Sequence, residues 1–287
     1  MLNGKHMTDK KLIEQIDRLL IPNNSVAFWS LGQMGFAIKG DDDHVIYIDP
    51  ILSNIVAERT PEHAEIFTRS YPPPLKPEDV TNANYVLITH EHMDHADPQT
   101  LGPISKASPQ AKFITSKWTS EALKECNIPS EKYITPSIES PLDLGFLKVW
   151  VIPAAHYDIE YDSDLGYRYM GYIIKWNHIT IYHSGDTLIY PGYIEHLKTL
   201  PSIDIALVAM NGRDAYRESL GILGNLYPNE AVWLAKKLEW DVLICGHNDL
   251  FEANSIDPCE LMHAVQKLNP RQKHHSLQPG EMFFYHK

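Results

Sequence analysis

Over residues 8–21 (TDKKLIEQIDRLLI), Leu12, Ile13, Ile16, Leu19 and Leu20 recur at helical spacing. With Thr8 as N-cap, they predict an amphipathic helix lying on the main body. From Val26 the period shortens to strand-like pieces, VAFWSL, GFAIKG and HVIYID, with Gly32 and Gly35 in the first turn. Residues 53–84 are Pro-rich (Tyr71-Pro72-Pro73-Pro74) and weakly periodic. A loop of that length is more often functional than neutral, so 53–76 is a candidate lid. YVLIT reads as a buried strand, and Asp97-Pro98 places an N-cap and a first-turn proline at the start of a helix. KFITS, KYITP and FLKVWVIPA read as strands with the helix SEALKE between the first two; YRYMGYIIKW and ITIYHS pair around a turn at Asn177-His178. IDIALVAM and DVLIC are buried strands on either side of the amphipathic helix PNEAVWLAKKLEW, and Asp257-Pro258 opens a last helix before EMFFYH. The pattern predicts an α/β (α+β) chain whose two sheets pack together with helices outside, as one domain over 1–287, the helix of residues 1–24 resting on it.

Composition changes this picture little. Hydrophobic residues make up 44% and charged residues 22% of 287, ordinary globular usage. No apolar run reaches transmembrane length, and the N-terminus lacks the basic-then-apolar form of a secretory signal, so a cytoplasmic protein is expected. Three cysteines (Cys126, Cys245, Cys259) without metal-type spacing fit a reducing compartment. A net charge of −12 offers no general attraction for nucleic acid or an anionic membrane, leaving a small molecule as the expected partner.

Chemistry enters directly after YVLIT. His90, His92, Asp94 and His95 occupy six residues that have no obvious packing use. His90 and His92, two apart in an extended segment, point the same way, and Asp94 and His95 face an adjacent position as the chain turns. Imidazoles and a carboxylate leaving a strand end suit Zn²⁺, Mn²⁺ or Fe²⁺. Further donors at strand ends are His156 after VWVIPAA, Asp186 after ITIYHSG, His247 after VLICG, and Asp49 closing HVIYID. Each alone reads more often as a turn residue; together they place a metal centre along one edge of the sheets.

These residues, in this order, resemble the metallo-β-lactamase superfamily: Asp49, Thr89 to His95, His156, Ser184-Gly185-Asp186-Thr187 and Gly246-His247. The resemblance implies a four-layer αβ/βα sandwich of two mixed β-sheets with outer helices. It also implies two divalent metal ions, one on His90, His92 and His156, the other on Asp94, His95 and His247, with Asp186 bridging. Asp49 and His183 would then orient the ligands. Two such cations lower the pKa of a shared water to roughly 7, and Asp94 is the expected proton carrier in hydrolysis.

Within the superfamily, FWSLGQMGFAIKG, IYHSGDT and VLICGHNDLF are similar to the L-ascorbate 6-phosphate lactonase group, although Cys245-Gly246-His247-Asn248 stands where that group carries Pro-Phe-His-His. This implies a lactonase-like enzyme on a small sugar-acid lactone, phosphorylated or not, and an assembly larger than the monomer, a homo-oligomer. Arg213 and Arg217 are then candidate anion-binding forks, with a surface ion-pair cluster as the competing reading. Tyr157 and Asn248 are candidate substrate contacts by adjacency to His156 and His247. Phosphodiester hydrolysis, and a redox or purely metal-binding role, stand as alternatives.

Overall fold

In the computed structural model, which describes residues 9–287, the alternating segments pair into two seven-stranded sheets. The strands of the first half are β1 (Ser25–Gly32), β2 (Gly35–Gly40), β3 (Val45–Ile48), β4 (Tyr85–Leu87), β5 (Lys112–Ile114) and β6 (Tyr133–Ile134). Those of the second are β7 (Leu142–Asp143), β8 (Leu147–Pro153), β9 (Tyr161–Asp162), β10 (Gly166–Tyr167), β11 (Met170–Trp176), β12 (Ile179–His183), β13 (Ile205–Ala209), β14 (Val242–Gly246), β15 (Lys273–Ser276) and β16 (Met282–His286). The first sheet runs β16-β1-β2-β3-β4-β5-β6 and the second β15-β14-β13-β12-β11-β8-β7; β9 and β10 form a separate hairpin. Each sheet changes from antiparallel to parallel pairing part-way across, at β3/β4 and at β12/β13.

Period-two alternation decides which side chains meet. Val26 and Phe28 of β1 face the second sheet, joining Phe36, Ile38, Tyr172, Ile174, Ile181 and Leu207 in the core between the sheets. Ala27, Trp29 and Leu31 face outward, against helices α1 (Lys10–Arg18) and α3 (Pro98–Ala107). Each large side chain buried this way contributes roughly 1.5–3 kcal/mol relative to exposure. On the far side, α5 (Tyr193–Thr199), α7 (Pro228–Leu238) and α8 (Pro258–Leu268) cover the second sheet. The expected layering of helices, two mixed sheets and helices is what the chain forms.

Two local expectations are corrected, and one strand was not foreseen. The first helix stops at Arg18, not residue 21, and Leu20 is exposed. Its C-terminal carbonyls are taken by the buried Lys39, whose Nζ donates to Ile16 O at 3.0 Å and Asp17 O at 2.9 Å; a cation at that end also suits the helix dipole. Thr8, the expected cap, lies outside the described residues. The edge strand β15 has no apolar signature and forms only by parallel pairing with β14. Residues 53–76 are not an open loop: Ile55–Arg59 is a short helix, α2, and Ile55, Val56 and Phe67 pack with Leu250 and Phe251. Arg69 Nη1 ties this segment to Ile51 O (3.1 Å) and Ser53 O (3.2 Å). Among the described residues no helix is long and apolar enough to cross a membrane.

Candidate metal centre

Asp49 follows β3, the histidine segment follows β4, and His156, Asp186 and His247 follow β8, β12 and β14. The switch from antiparallel to parallel pairing leaves a crevice at strand ends, where open sheets collect their functional residues. After His92 the chain folds back on itself: His95 N and Ala96 N both donate to His92 O, at 2.9 and 2.7 Å. That turn brings Asp94 and His95 beside the histidines they follow.

Asp49 organises the floor. Its Oδ1 accepts from Thr89 N (2.8 Å), and its Oδ2 from Thr89 Oγ1 (2.6 Å) and His95 Nδ1 (2.8 Å). Because the Thr89 hydroxyl proton goes to Asp49, its oxygen is left to accept from His90 Nδ1 at 3.0 Å. The Nδ1 proton of each ring is thereby held by Asp49 or Thr89, which leaves Nε2 as the atom each offers to a metal. Burial opposes a second proton on His95, but Asp186, Asp94 and Asp49 outweigh it and raise that imidazole well above its ordinary value. A cation would displace the Nε2 proton there. His90 Nε2, His95 Nε2, His156 Nδ1 and Asp186 Oδ1 are buried without a hydrogen-bond partner. Buried polar atoms are rarely left so, and here the unpaired atoms converge.

Three groups of donors lie within 4.8 Å of one another: His90, His92 and His156; His90, His95 and Asp186; and Asp94, His95 and His247. Asp186 reaches two ways, Oδ1 lying 3.3 Å from His95 Nε2 and Oδ2 3.2 Å from His247 Nε2. The first and third groups share no residue, and Asp186 stands beside both. Nitrogen and carboxylate donors in this arrangement fit first-row divalent cations.

Charge follows from the same contacts. Burial pushes the His90 imidazole well below its ordinary value, and burial, partly offset by Asp186, lowers His156 to about 4. Both are neutral donors at neutral pH. Burial also works against a proton on His247, but Asp186 and Asp94 outweigh it and raise that imidazole to about 9. Asp94 and Asp186 stay ionised despite burial because His95 and His247 hold them well below the usual carboxylate range.

The second rank of residues is partly as expected and partly not. His183 touches none of the donors. Its Nε2 lies 2.9 Å from Met34 O, and its Nδ1 accepts from Gly185 N at 3.2 Å, so the ring shapes the turn leading to Asp186. Gly185 has φ +58°, and a Cβ there would sit 2.3 Å from Met170 O. Gly185→Ala is expected to cost roughly 1–3 kcal/mol and to reduce bound metal as Asp186 is displaced. Thermal melting with metal analysis tests this; unchanged values for both would refute the geometric role of the turn.

The anion clamp at Arg213 and Arg217 is corrected. Arg213 makes a two-pronged pair with Glu230 at 2.8 Å for each prong. Arg217 binds Asp214 at 2.6 Å, Asn211 O at 2.8 Å and Asn254 Oδ1 at 3.0 Å. Their forks are taken by protein acceptors, and neither residue lines the cavity above the donors. Tyr157 and Asn248 do not line it either: the Tyr157 hydroxyl donates to Glu218, and Asn248 is buried.

That cavity, about 370 Å³, has Asp94, His92, His156, Asp186 and His247 in its floor, and Val56, Phe67, Met93, Ile222, Leu223 and Phe251 in its walls. Tyr169 and Gln33 were not singled out from the sequence. The Tyr169 ring packs 5.2–5.6 Å from the rings of His90, His92 and His156 and fixes their orientation. Gln33 Nε2 lies 2.8 Å from Asp94 Oδ2. Tyr169 was hidden in a strand-like aromatic run; Gln33 carried a signal, a large polar residue in the Gly32-Gln33-Met34-Gly35 hairpin turn, where Asn or Gly is usual.

Comparison with known proteins agrees with this arrangement. A family model described as the beta-lactamase superfamily domain matches residues 44–248. A protein of Pyrococcus horikoshii named as a UPF0173 metal-dependent hydrolase is 28% identical over 183 residues, 63% of this chain and 71% of the relative. Another so named, from Pyrococcus abyssi, is 25% identical over 252 residues, 88% of this chain and 96% of the relative. Among solved structures, Igni18, described as a novel metallo hydrolase from Ignicoccus hospitalis, superposes with a TM-score of 0.68 at 22% identity, covering 92% of this chain and 99% of that one, a likeness of fold. Matched over most of its length and carrying its histidines and aspartates at the strand ends of two mixed sheets, the chain belongs to the metallo-β-lactamase superfamily, in which its curated relatives are named metal-dependent hydrolases.

Proposed function

We propose that this protein is a metal-dependent hydrolase of a small, uncharged carboxylic ester, of which a lactone is the compact form. The observation that carries the choice of substrate is the cavity lining. Its walls are largely apolar, with Thr60, Glu91 and Asn254 the polar residues beside the donors, and no lysine or arginine is among its lining residues in the described chain. A phosphorylated sugar acid would find no basic side chain there, so the phosphorylated form of the expected lactone is set aside. A phosphodiester is disfavoured for the same reason.

The donor set would hold two divalent cations, His90, His92 and His156 taking one and Asp94, His95 and His247 the other, with the Asp186 carboxylate beside both groups. When bound, they supply Lewis-acid polarisation of a carbonyl and lower the pKa of water to roughly 7. Asp94 is ionised and about one-fifth exposed at the cavity floor, so its carboxylate can accept the proton that the attacking water loses. As the carbonyl carbon–oxygen bond breaks, the same carboxyl returns that proton to the departing alkoxide. Phe67, Phe251 and Leu223 hold the apolar part of the substrate and exclude bulk water.

The test combines metal analysis of protein purified without added metal with assays on a neutral lactone, its phosphorylated counterpart and a generic phosphodiester. About two metals per chain, with kcat/KM at least tenfold higher for the neutral lactone, is the expected result. Turnover confined to the phosphodiester or the phosphorylated lactone would overturn the substrate, and absence of metal after reconstitution would overturn the mechanism.

A further inference from the structure

We infer that Gln33 is a further metal ligand, completing with its side-chain carbonyl the site formed by Asp94, His95 and His247. The inference rests on the metal-centre reading above and adds a residue to it. The amide end of Gln33 lies 2.8 Å from Asp94 Oδ2 and 3.1 Å from His247 Nε2, and those two atoms are 3.3 Å apart. Donors sharing one cation through bonds of about 2.0–2.2 Å are themselves spaced roughly 2.8–3.6 Å apart in octahedral to tetrahedral arrangements. Gln33 thus occupies a vertex of the triangle that such a cation requires. The histidines at the centre were identifiable by residue type, whereas an amide at this vertex has no counterpart in the donor set read from the sequence.

The local backbone is committed to this placement. Gln33 has φ +56°, a region a long side chain rarely adopts, and it is 3% exposed. Its N donates to Asp249 Oδ1 at 2.9 Å, and its O accepts from His247 N at 2.7 Å. The turn is thereby tied to the segment that carries His247. A strained, buried, polar side chain at a crevice of donors is the pattern expected of a functional position.

The polarity of the amide decides which end faces inward. As placed, Nε2 faces Asp94 and His247, and Oε1 is buried with no partner. An NH₂ suits the Asp94 carboxylate while no cation lies beside it. It is repelled once a cation is there, whereas a carbonyl oxygen is attracted. The two ends of an amide are nearly isosteric, so a half-turn about the Cγ–Cδ bond exchanges them without moving the chain. The same turn gives the unpartnered buried oxygen its missing partner.

Titration of metal-stripped protein with Mn²⁺, followed by calorimetry and by electron paramagnetic resonance, reads the ligand directly without any assay of turnover. The wild type is expected to bind two Mn²⁺. Gln33→Leu should weaken the second by at least about tenfold. Gln33→Glu keeps an oxygen donor and adds charge, so it should bind the second ion at least as tightly as the wild type. Gln33→Asn, which retracts the carbonyl by one methylene, should behave like Gln33→Leu and serves if the leucine variant does not fold. Two ions bound with wild-type affinity in Gln33→Leu or Gln33→Asn would overturn the ligand role while leaving the metal centre intact. Equal weakening in Gln33→Leu and Gln33→Glu would overturn it too, assigning the amide instead as an N–H donor to Asp94. A wild type that binds no Mn²⁺ would remove the metal centre and Gln33's role together.

Discussion

Asp186→Ala should lower kcat/KM by about 10³-fold or more and reduce bound metal from two ions per chain to one or fewer. Asp186 faces both groups: it lies within 4.8 Å of His90 of the first and His95 of the second, and its other carboxylate oxygen is 3.2 Å from His247 Nε2. Alanine leaves that space empty and removes a negative charge from between imidazoles that must share it with cations. A second readout separates this from unfolding. In the metal-free wild type His247 should titrate near 9, because Asp186 and Asp94 outweigh its burial. Removing Asp186 takes away one of the two carboxylates that stabilise the charged ring, so the His247 titration followed by NMR should move down. The same sign governs loading: a cation must displace the His247 proton, so affinity of the wild type should rise with pH up to about 9. Two retained metals with full turnover, or an unmoved His247, would contradict the assignment.

Asp49→Ala is expected to act on stability as strongly as Asp186→Ala acts on activity. The carboxylate is fully buried and accepts from Thr89 N, Thr89 Oγ1 and His95 Nδ1. Deleting it leaves three buried donors without partners, an expected loss of at least about 3 kcal/mol out of a typical total of about 5–15. Denaturant unfolding of the metal-free protein measures it. Asp49→Asn separates packing from chemistry. An amide NH₂ facing His95 Nδ1 forces that nitrogen to accept, which moves the ring proton to Nε2 and blocks the lone pair a metal would use. The expected result is a folded protein with metal affinity about 10–100-fold weaker. Wild-type affinity in Asp49→Asn would show that Asp49 does not set the tautomer.

Donor residues were readable from the sequence because their chemical type is scarce and their position is marked. His90, His92, Asp94, His95, His156, Asp186 and His247 each follow an apolar strand, and strand ends are visible as breaks in period-two patterning. The substrate side was not readable in the same way. A guanidinium that clamps an anion and one that pairs with a glutamate look identical in a sequence, and the Glu230 partner of Arg213 lies seventeen residues away. Leu19 and Leu20 continue a helical spacing, yet the helix ends where Lys39, over twenty residues further on, takes its last carbonyls. Nothing local announces such partners.

Apolar periodicity by itself determined the layered architecture, since burial is a one-dimensional property repeated along the chain, and it placed the seven donors at strand ends. Tertiary structure alone decided what stands beside them. Gln33 meets His247 across 214 residues of chain, and Tyr169 meets three histidines from β4 and β8 ends, only because two sheets bring separate turns to one crevice. The apolar walls of the cavity were likewise decided by packing: Val56 and Phe67 come from the Pro-rich segment and Phe251 from beyond β14. Contact between distant segments depends on how loops close over the sheets, and that geometry is encoded in the sum of the packing, not in any stretch read alone.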